Sequence, residues 1–280
     1  VAMYSSSVDV VILATPPVFR PAHLRYAVER NKHVFCEKPI AVDAPGVRSV
    51  LETSEEAARR KLSLVCGFCW RYNLPQRALY ERILAGQIGD VKAMTTTYNT
   101  GPLGDLARAP GWSDMEWQLR NWKAFIWSSG DHIVEQAIHA IDWSHWGFGG
   151  VPERAFAVGG RQCRGGEWTG NMYDHFGVIY EYANGGRGFH MCRQIPNCDN
   201  DNTAYIMGSK GNAYSNPWNH RSLRIEGEEP WRYEGANNDM YQQEHDELFA
   251  SIRAGRPMND GRWMAESTMM GIMGRMAAYT

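Results

Sequence analysis

The first third of the chain alternates continuous apolar runs with segments of helical spacing. Three apolar runs predict buried strands, at residues 8–15, 33–39 and 62–68. Segments with helical periodicity fill the two intervals, at residues 18–30 and 44–60. This βαβαβ rhythm predicts a parallel sheet with crossover helices, in which ligands bind at the carboxyl ends of the strands.

After residue 90 strand patterns follow one another with few helices between them. The predicted strands are residues 91–100, 155–162, 173–182, 186–194 and 203–209. Asn184-Gly185-Gly186 is a hairpin signal between two of these strands. The predicted helices are residues 132–146, 239–254 and 262–279. We therefore expect an α/β plus α+β fold: a doubly wound parallel sheet over residues 1–90, then a predominantly antiparallel open sheet over residues 91–280. The last helix is expected to pack back on the first unit.

Composition narrows the classes of function. The chain has 280 residues, 44% of them hydrophobic, and a formal net charge of −2. This near-neutral balance argues against a nucleic-acid binder, and no apolar run is long enough to predict a membrane span.

Neither G-x-G-x-x-G nor a P-loop motif is present in the sequence. Because the chain opens with Val1 just before a predicted strand and stops in a helical pattern, we expect both ends to be truncated. An export signal could have been lost with the start.

The six cysteines are scattered, and one pair forms a C-x-x-C sequence. Cys66 and Cys69 lie in a predicted buried strand and its exit, whereas a redox pair would begin a helix. A zinc site of this type usually needs a second ligand pair. We expect reduced, buried thiols, which suit a reducing compartment and a cytoplasmic location.

A charged pair follows the second predicted strand, in Glu37-Lys38-Pro39. A lysine at the mouth of the sheet would stand beside apolar walls, and partial desolvation suits it to acid–base chemistry. The alternative interpretation is a solvated charge pair in a loop.

The predicted helix over residues 132–146 has one polar face. At about 100° per residue, five polar side chains share a single stripe: His132, Glu135, Gln136, His139 and Asp142. Trp143 and Trp146 flank this stripe, which favours a cleft floor over open solvent. Asp131 is the predicted N-cap.

Three kinds of site fit this polar stripe. A histidine held by a carboxylate can act as a general base at neutral pH. His132, Glu135 and His139 have the H-x-x-E-x-x-x-H spacing of metal ligands on a helix. The stripe could also bind a polar ligand without chemistry, and the spacing alone does not choose among the three.

Four segments in this order resemble the Gfo/Idh/MocA family of oxidoreductases. They are VDVVILATPPVFRPAH, HVFCEKPIAVD, GFCWRYNLP and GDHIVEQAIHAIDW, and the resemblance extends from about residue 8 to the end of the chain. It implies that residues 1–90 are a partial Rossmann domain for NAD or NADP, lacking its first strands and glycine-rich loop. Residues 91–280 would then form the substrate-binding and oligomerisation domain.

The resemblance also implies a reaction: hydride transfer between a hydroxyl-bearing carbon of a sugar or cyclitol and the nicotinamide, without a metal. Lys38 and His139 would act in acid–base roles, and Glu135, in place of a commoner Asp, would orient His139 or bind a neighbouring hydroxyl. With Lys38, the implied cofactor-binding residues are Thr15, Pro16, His23, Glu37 and Arg71. The expected substrate-binding residues are Asn121, Trp122, His132, Asp142 and Tyr173. Ala140 stands where the H-N-x-D pattern of one bacterial subgroup of this family would have Asn.

Other functions stay open at this point. Tightly held NAD could support glycoside cleavage through transient oxidation. A zinc hydrolase would use His132, Glu135 and His139, and a non-catalytic scaffold would only bind carbohydrate. In the leading interpretation the partners are a sugar or polyol and further copies of the chain, as a dimer or tetramer formed through the C-terminal sheet.

Overall fold

A computed structural model describes residues 4–280, and its first part is a three-stranded parallel sheet. The strands are β1 (Val10–Leu13), β2 (His33–Cys36) and β3 (Leu64–Cys66), joined by helices α1 (Arg20–Glu29) and α2 (Ala44–Arg59). Leu13 stands opposite Cys36, and Cys36 opposite Cys66, so the three carboxyl ends lie side by side. This arrangement confirms the predicted parallel sheet. The thiols of Cys66 and Cys69 are buried, as expected.

The second sheet is predominantly antiparallel, as predicted. Its strands are β4 (Val91–Thr100), β5 (Arg154–Gly160), β6 (His175–Glu181), β7 (Arg187–Gln194), β8 (Ala204–Gly208), β9 (Gly211–Ser215), β10 (Arg224–Gly227) and β11 (Trp231–Arg232). They are ordered β11-β10-β9-β8-β4-β7-β6-β5, and β4 and β7 are a parallel pair within this sheet. Gly185, with φ at +81°, makes the predicted turn between β6 and β7.

The helices of the remaining chain pack on both sheets. They are α3 (Leu74–Leu84), α4 (Asp114–Arg120), α5 (Ile126–Ser129), α6 (His132–Glu135), α7 (Ile138–Phe148), α8 (Met240–Arg253) and α9 (Gly261–Tyr279). Helix α9 contacts α2 beside the first sheet and β5 of the second. A Cβ at Gly274 would lie 2.7 Å from the hydroxyl of Tyr180, so glycine permits this close approach. Of these helices, none is both long and apolar enough to cross a membrane.

The predicted single helix over residues 132–146 is wrong, because the chain breaks between α6 and α7. In an unbroken helix the carbonyl of Glu135 would accept a hydrogen bond from the amide of His139. Here the ammonium of Lys38, from the end of β2, donates to that carbonyl. The carbonyl of Glu135 therefore accepts a hydrogen bond from Lys38 instead of the one that a continuous helix would require.

Candidate active site

Lys38 and Glu135 join the carboxyl edge of the parallel sheet to the break between α6 and α7. The Lys38 ammonium donates to the main-chain carbonyl of Glu135 and lies 3.4 Å from its carboxylate Oε1. Both side chains are largely buried, at 13% and 11% exposed. Arg20 donates to the carbonyl of Pro39 at 2.6 Å and fixes the turn that follows Lys38. The lysine is therefore an oriented, partly desolvated cation rather than a solvated loop charge.

Glu37 lies over the end of the neighbouring strand β3. A Cβ at Gly67 would come within 2.6 Å of its Oε2 atom, so the absence of a side chain at Gly67 makes room for this carboxylate. The same Oε2 accepts a hydrogen bond from the amide of Lys38 at 3.1 Å. The loop after β2 is therefore held by its own acidic side chain.

His139 lies among aromatic rings at the same place. Its ring centroid is 5.1 Å from that of Trp70, 6.0 Å from Phe68 and 6.4 Å from Tyr98. Its Nδ1 is buried and has no hydrogen-bond partner among residues 4–280. Burial, and secondly the positive charge of Lys38, hold the pKa of His139 well below its usual value. A neutral imidazole and an ammonium thus stand together, which provides a proton acceptor beside a positive charge.

The predicted cofactor-binding residues from the first sheet lie along one edge. Thr15 and Pro16 follow β1, and the Thr15 hydroxyl is 3.1 Å from Nδ1 of His23. The amide of Glu37 donates to the carbonyl of Leu13 at 3.1 Å, which ties the loop after β2 to the end of β1. These side chains therefore border one edge with Lys38, whereas Arg71 is placed differently.

Arg71 and Asp142 are paired with each other. The guanidinium donates twice to the Asp142 carboxylate, at 2.7 and 2.9 Å, and lies between the rings of Trp146 and Trp263. Ser267 donates a third hydrogen bond to Asp142, at 2.6 Å. The cofactor role of Arg71 and the substrate role of Asp142 stay predictions, since the charges of both already have partners.

Asn121 and Trp122, two further predicted substrate residues, lie between α4 and α5. Asn121 accepts from the amide of Leu106 at 3.1 Å and donates to the carbonyl of Trp168 at 3.2 Å. The ammonium of Lys123 lies over the Trp122 ring, 5.8 Å from the ring centroid. The roles of Asn121 and Trp122 in substrate binding stay predictions.

His132 turns away from His139 because of the helix break. Its Nδ1 lies 3.1 Å from the carbonyl of Tyr173 and 3.2 Å from Asp131, in a buried cluster. Within residues 4–280, no three His, Cys, Asp or Glu side chains are grouped to hold a metal ion. The zinc interpretation of His132, Glu135 and His139 is therefore wrong in its geometry, since it assumed one unbroken helix.

Aromatic residues and one acid of this region are absent from the sequence-based prediction of the site. Trp70 comes four residues after β3 and stacks on Trp143, with the ring centroids 4.3 Å apart, and Tyr98 lies near the end of β4. Large aromatic side chains at or just beyond the carboxyl end of a predicted strand are the signal that could have identified them. The acid is Glu244 on α8, a helix that packs against β2 and β3.

Glu244 is a buried acid, 2% exposed, whose Oε2 has no hydrogen-bond partner in the described part of the chain. Burial, and then the charges of Glu37 and Asp260, raise its pKa to about 9. Between the ordinary pKa of 4.5 and about 9, the unfolded chain has released this proton while the folded chain keeps it. Glu244 therefore costs stability progressively as pH rises through this window.

We expect Glu244→Gln, which mimics the neutral acid, to remove this pH dependence. The variant should exceed the wild type in free energy of unfolding by on the order of 3 kcal/mol at pH 8, and by little at pH 5. Urea denaturation from pH 5 to pH 9 measures the difference, with Glu228→Gln on the surface as the matched control. Parallel pH profiles for wild type and Glu244→Gln would show that Glu244 is ionised in the fold.

Two family models match the sequence. A model described as "GFO/IDH/MocA C-terminal domain" matches residues 76–214, and one described as "Oxidoreductase family, NAD-binding Rossmann fold" matches residues 2–65. The matched segments include Glu37, Lys38, Glu135 and His139.

Curated relatives are similar over parts of their length. The chain is 25% identical over 237 residues to inositol 2-dehydrogenase of Rhizobium meliloti, covering 85% of this chain and 63% of the relative. It is 28% identical over 181 residues to 2,7-anhydro-N-acetylneuraminate hydratase of Escherichia coli, covering 65% of this chain and 44% of the relative. The chain spans about half the length of the curated relatives it matches.

A solved structure of levoglucosan dehydrogenase with NADH and levoglucosan has a similar fold. The TM-score is 0.81 at 17% identity, with 99% of this chain and 80% of that chain covered. This likeness concerns the fold alone, since the sequence identity is low.

Proposed function

The chain belongs to the GFO/IDH/MocA oxidoreductase family, and from this membership we propose that it acts as an NAD(P)-dependent oxidoreductase on a hydroxyl-bearing carbon of a sugar or cyclitol. One observation carries the proposal: the Lys38 ammonium is held by Glu135 beside a neutral, aromatic-lined His139, at the carboxyl edge of a parallel sheet. Ligands bind at this edge in open parallel sheets.

The residues along this edge fit the nicotinamide end of NAD or NADP. The hydroxyl of Thr15 and the ammonium of Lys38 are donors suited to ribose and carboxamide oxygens, and Pro16, His23 and Glu37 border them. The imidazole of His139 is partly exposed and neutral, so one of its ring nitrogens is an acceptor to which a substrate hydroxyl could donate. When bound, the nicotinamide supplies the acceptor for the hydrogen and two electrons that leave the carbinol carbon.

The chain's own residues provide the proton chemistry. Lys38 would donate a hydrogen bond to the substrate oxygen and stabilise the negative charge that develops there. His139, neutral because of burial and the Lys38 charge, would accept the hydroxyl proton. Glu135 would hold the ammonium in place through its carbonyl and carboxylate, and orient His139 or bind a neighbouring hydroxyl.

A second candidate is a redox-neutral reaction through transient oxidation, such as glycoside cleavage. The similarity to a hydratase favours it, since adding water changes no net oxidation state. The same residues would serve, because the step at the carbinol carbon is shared.

The two functions are separated by one assay on the product of the complete coding sequence, supplied with NAD⁺ or NADP⁺. Net formation of reduced cofactor with a cyclic polyol is the result we expect. Cleavage or hydration of a glycoside without net reduced cofactor would favour the second candidate. Sugar binding with neither reaction would contradict both and support a carbohydrate-binding scaffold.

We also propose that copies of the chain associate through the outer face of the second sheet. Large apolar side chains stand exposed there on neighbouring strands: Phe156, Val158, Ile179, Phe189, Met191 and Tyr205. The register aligns Phe156 with Ile179 and Ile179 with Phe189, so the exposed positions form one continuous surface. Val158, at 74% exposed, is the most accessible of them. A contiguous apolar surface of this kind is typical of a protein interface.

A cytoplasmic location stays a prediction.

The double substitution Phe156→Asp with Val158→Asp is expected to yield monomers. Each copy would then bury two carboxylates without partners in the interface, and this desolvation makes association unfavourable. Light scattering coupled to size-exclusion chromatography measures the mass, with Leu84→Asp on α3, also at an exposed apolar position, as control. An unchanged oligomer in the double variant would place the interface elsewhere.

A further inference from the structure

Trp218 is an exposed aromatic residue next to the rings that surround His139. Its indole is 60% exposed, whereas Trp70 is 3% exposed. The ring centroids of these two residues are 6.2 Å apart, with the planes nearly perpendicular at 83°. Trp70 is also 5.1 Å from the His139 ring. One buried ring thus contacts both the candidate base and the exposed indole.

The register of the second sheet explains this position. Ser215, the last residue of β9, stands opposite Ala204 of β8, and Ala204 stands opposite Thr96 of β4. Strands β9 and β4 therefore run in the same direction, and the chain leaves β9 at the level where Tyr98 approaches His139. Trp218 comes three residues after the end of β9, from a different part of the chain than Trp70.

The contacts of Trp218 leave most of its ring free. Its amide donates to the side chain of Asn216 at 2.9 Å, which fixes the backbone of the loop. The indole N–H has no hydrogen bond within residues 4–280, and the ring makes an edge contact with Trp70. A large indole exposed to water is a typical binding group, since it offers wide apolar area with little rotamer entropy to lose.

We propose that Trp218 stacks on the C–H face of a cyclic substrate and so selects rings over open-chain polyols. The inference rests on the proposed function, because it concerns the same site. A pyranose or cyclitol ring has one or more faces on which axial C–H groups are exposed, and such faces pack on indoles. A linear polyol of equal hydroxyl count has no rigid apolar face. Lys38 and His139 would then bind the reacting hydroxyl while Trp218 holds the ring.

The test measures binding of two probes to the product of the complete coding sequence. The protein is saturated with reduced nicotinamide cofactor, so that a polyol binds without being oxidised. The probes are myo-inositol, which is cyclic, and sorbitol, which is linear, and calorimetry gives each Kd. The variants are Trp218→Ala and Trp218→Phe, and Tyr4→Ala, an exposed aromatic on the first unit, is the control.

We expect Trp218→Ala to weaken myo-inositol binding about tenfold, or ~1.4 kcal/mol, because the face on which the ring packs is removed. Trp218→Phe should weaken it less, because phenylalanine keeps a smaller aromatic face. The affinity for sorbitol and the melting temperature should change little in either variant. Inositol binding that Trp218→Ala leaves unchanged would overturn this inference while the proposed function stands. If wild-type protein binds neither probe but reduces its cofactor with other polyols, the inference fails for these rings and the proposed function stands. Binding of neither probe together with no turnover contradicts both.

Discussion

Replacement of Lys38 by methionine is expected to lower kcat by about a thousandfold and to weaken cofactor binding far less. Methionine has a similar length and volume but carries no charge and donates no hydrogen bond. The substrate oxygen would then lose the ammonium that stabilises its developing negative charge. The Glu135 carboxylate, only 11% exposed, would at the same time lose the cation 3.4 Å away.

Steady-state kinetics and cofactor titration of Lys38→Met separate these effects. Lys92→Met is the matched control, because Lys92 is an exposed lysine near the start of β4. Lys38→Arg should stay well below wild type, since a guanidinium does not replace an ammonium held in one place. Turnover in Lys38→Met equal to that of wild type would remove Lys38 from the reaction.

The second large effect concerns stability. Asp142→Ala should lower the free energy of unfolding by about 3–5 kcal/mol, because it leaves the Arg71 guanidinium without its carboxylate. The Asp142 side chain is 2% exposed and that of Arg71 14%, so water replaces the lost partner poorly. The hydrogen bond from Ser267 is lost as well.

Urea denaturation of Asp142→Ala, Arg71→Met and the double variant tests whether this pair is structural. Removing both charges should restore part of the stability lost in Asp142→Ala, since no unpaired charge then stays buried. A loss below about 1 kcal/mol in Asp142→Ala would show a solvated pair, and Asp142 would be free for substrate.

The elements that the sequence predicted well are those with an uninterrupted pattern. Strand β4 has the bounds predicted for it, Val91–Thr100, because the segment is rich in β-branched residues and pairs with a strand on each side. Strands β9 to β11 were not predicted, since they are short and rich in glycine and polar residues. Their place is set by pairing with β8 rather than by their own composition.

The polar stripe shows what periodicity leaves out. It placed His132 and His139 on one face, but Lys38 takes the carbonyl of Glu135 and the helix breaks at that point. Periodicity describes one segment, whereas this break depends on a side chain 97 residues away in sequence. The pairing of Arg71 with Asp142 is likewise a contact between distant segments.

The sequence predicted the polar residues of the candidate site. It did not predict the residues that surround them. Lys38, Glu135 and His139 stood out as polar groups in apolar contexts and matched a family pattern. Trp70, Tyr98 and Glu244 read as ordinary core or surface positions. Their placement around His139 and Glu37 follows from the packing of α7 and α8 on two different sheets.

Transfer of an isotopic label tests the central claim most directly. The product of the complete coding sequence is incubated with NAD⁺ or NADP⁺ and myo-inositol deuterated at its ring carbons, and the cofactor is analysed by mass spectrometry. We expect deuterium on the reduced cofactor with wild type, and about a thousandfold less with Lys38→Met in the same time. Formation of a ketone product with no deuterium on the cofactor would contradict the account, as would equal labelling by Lys38→Met.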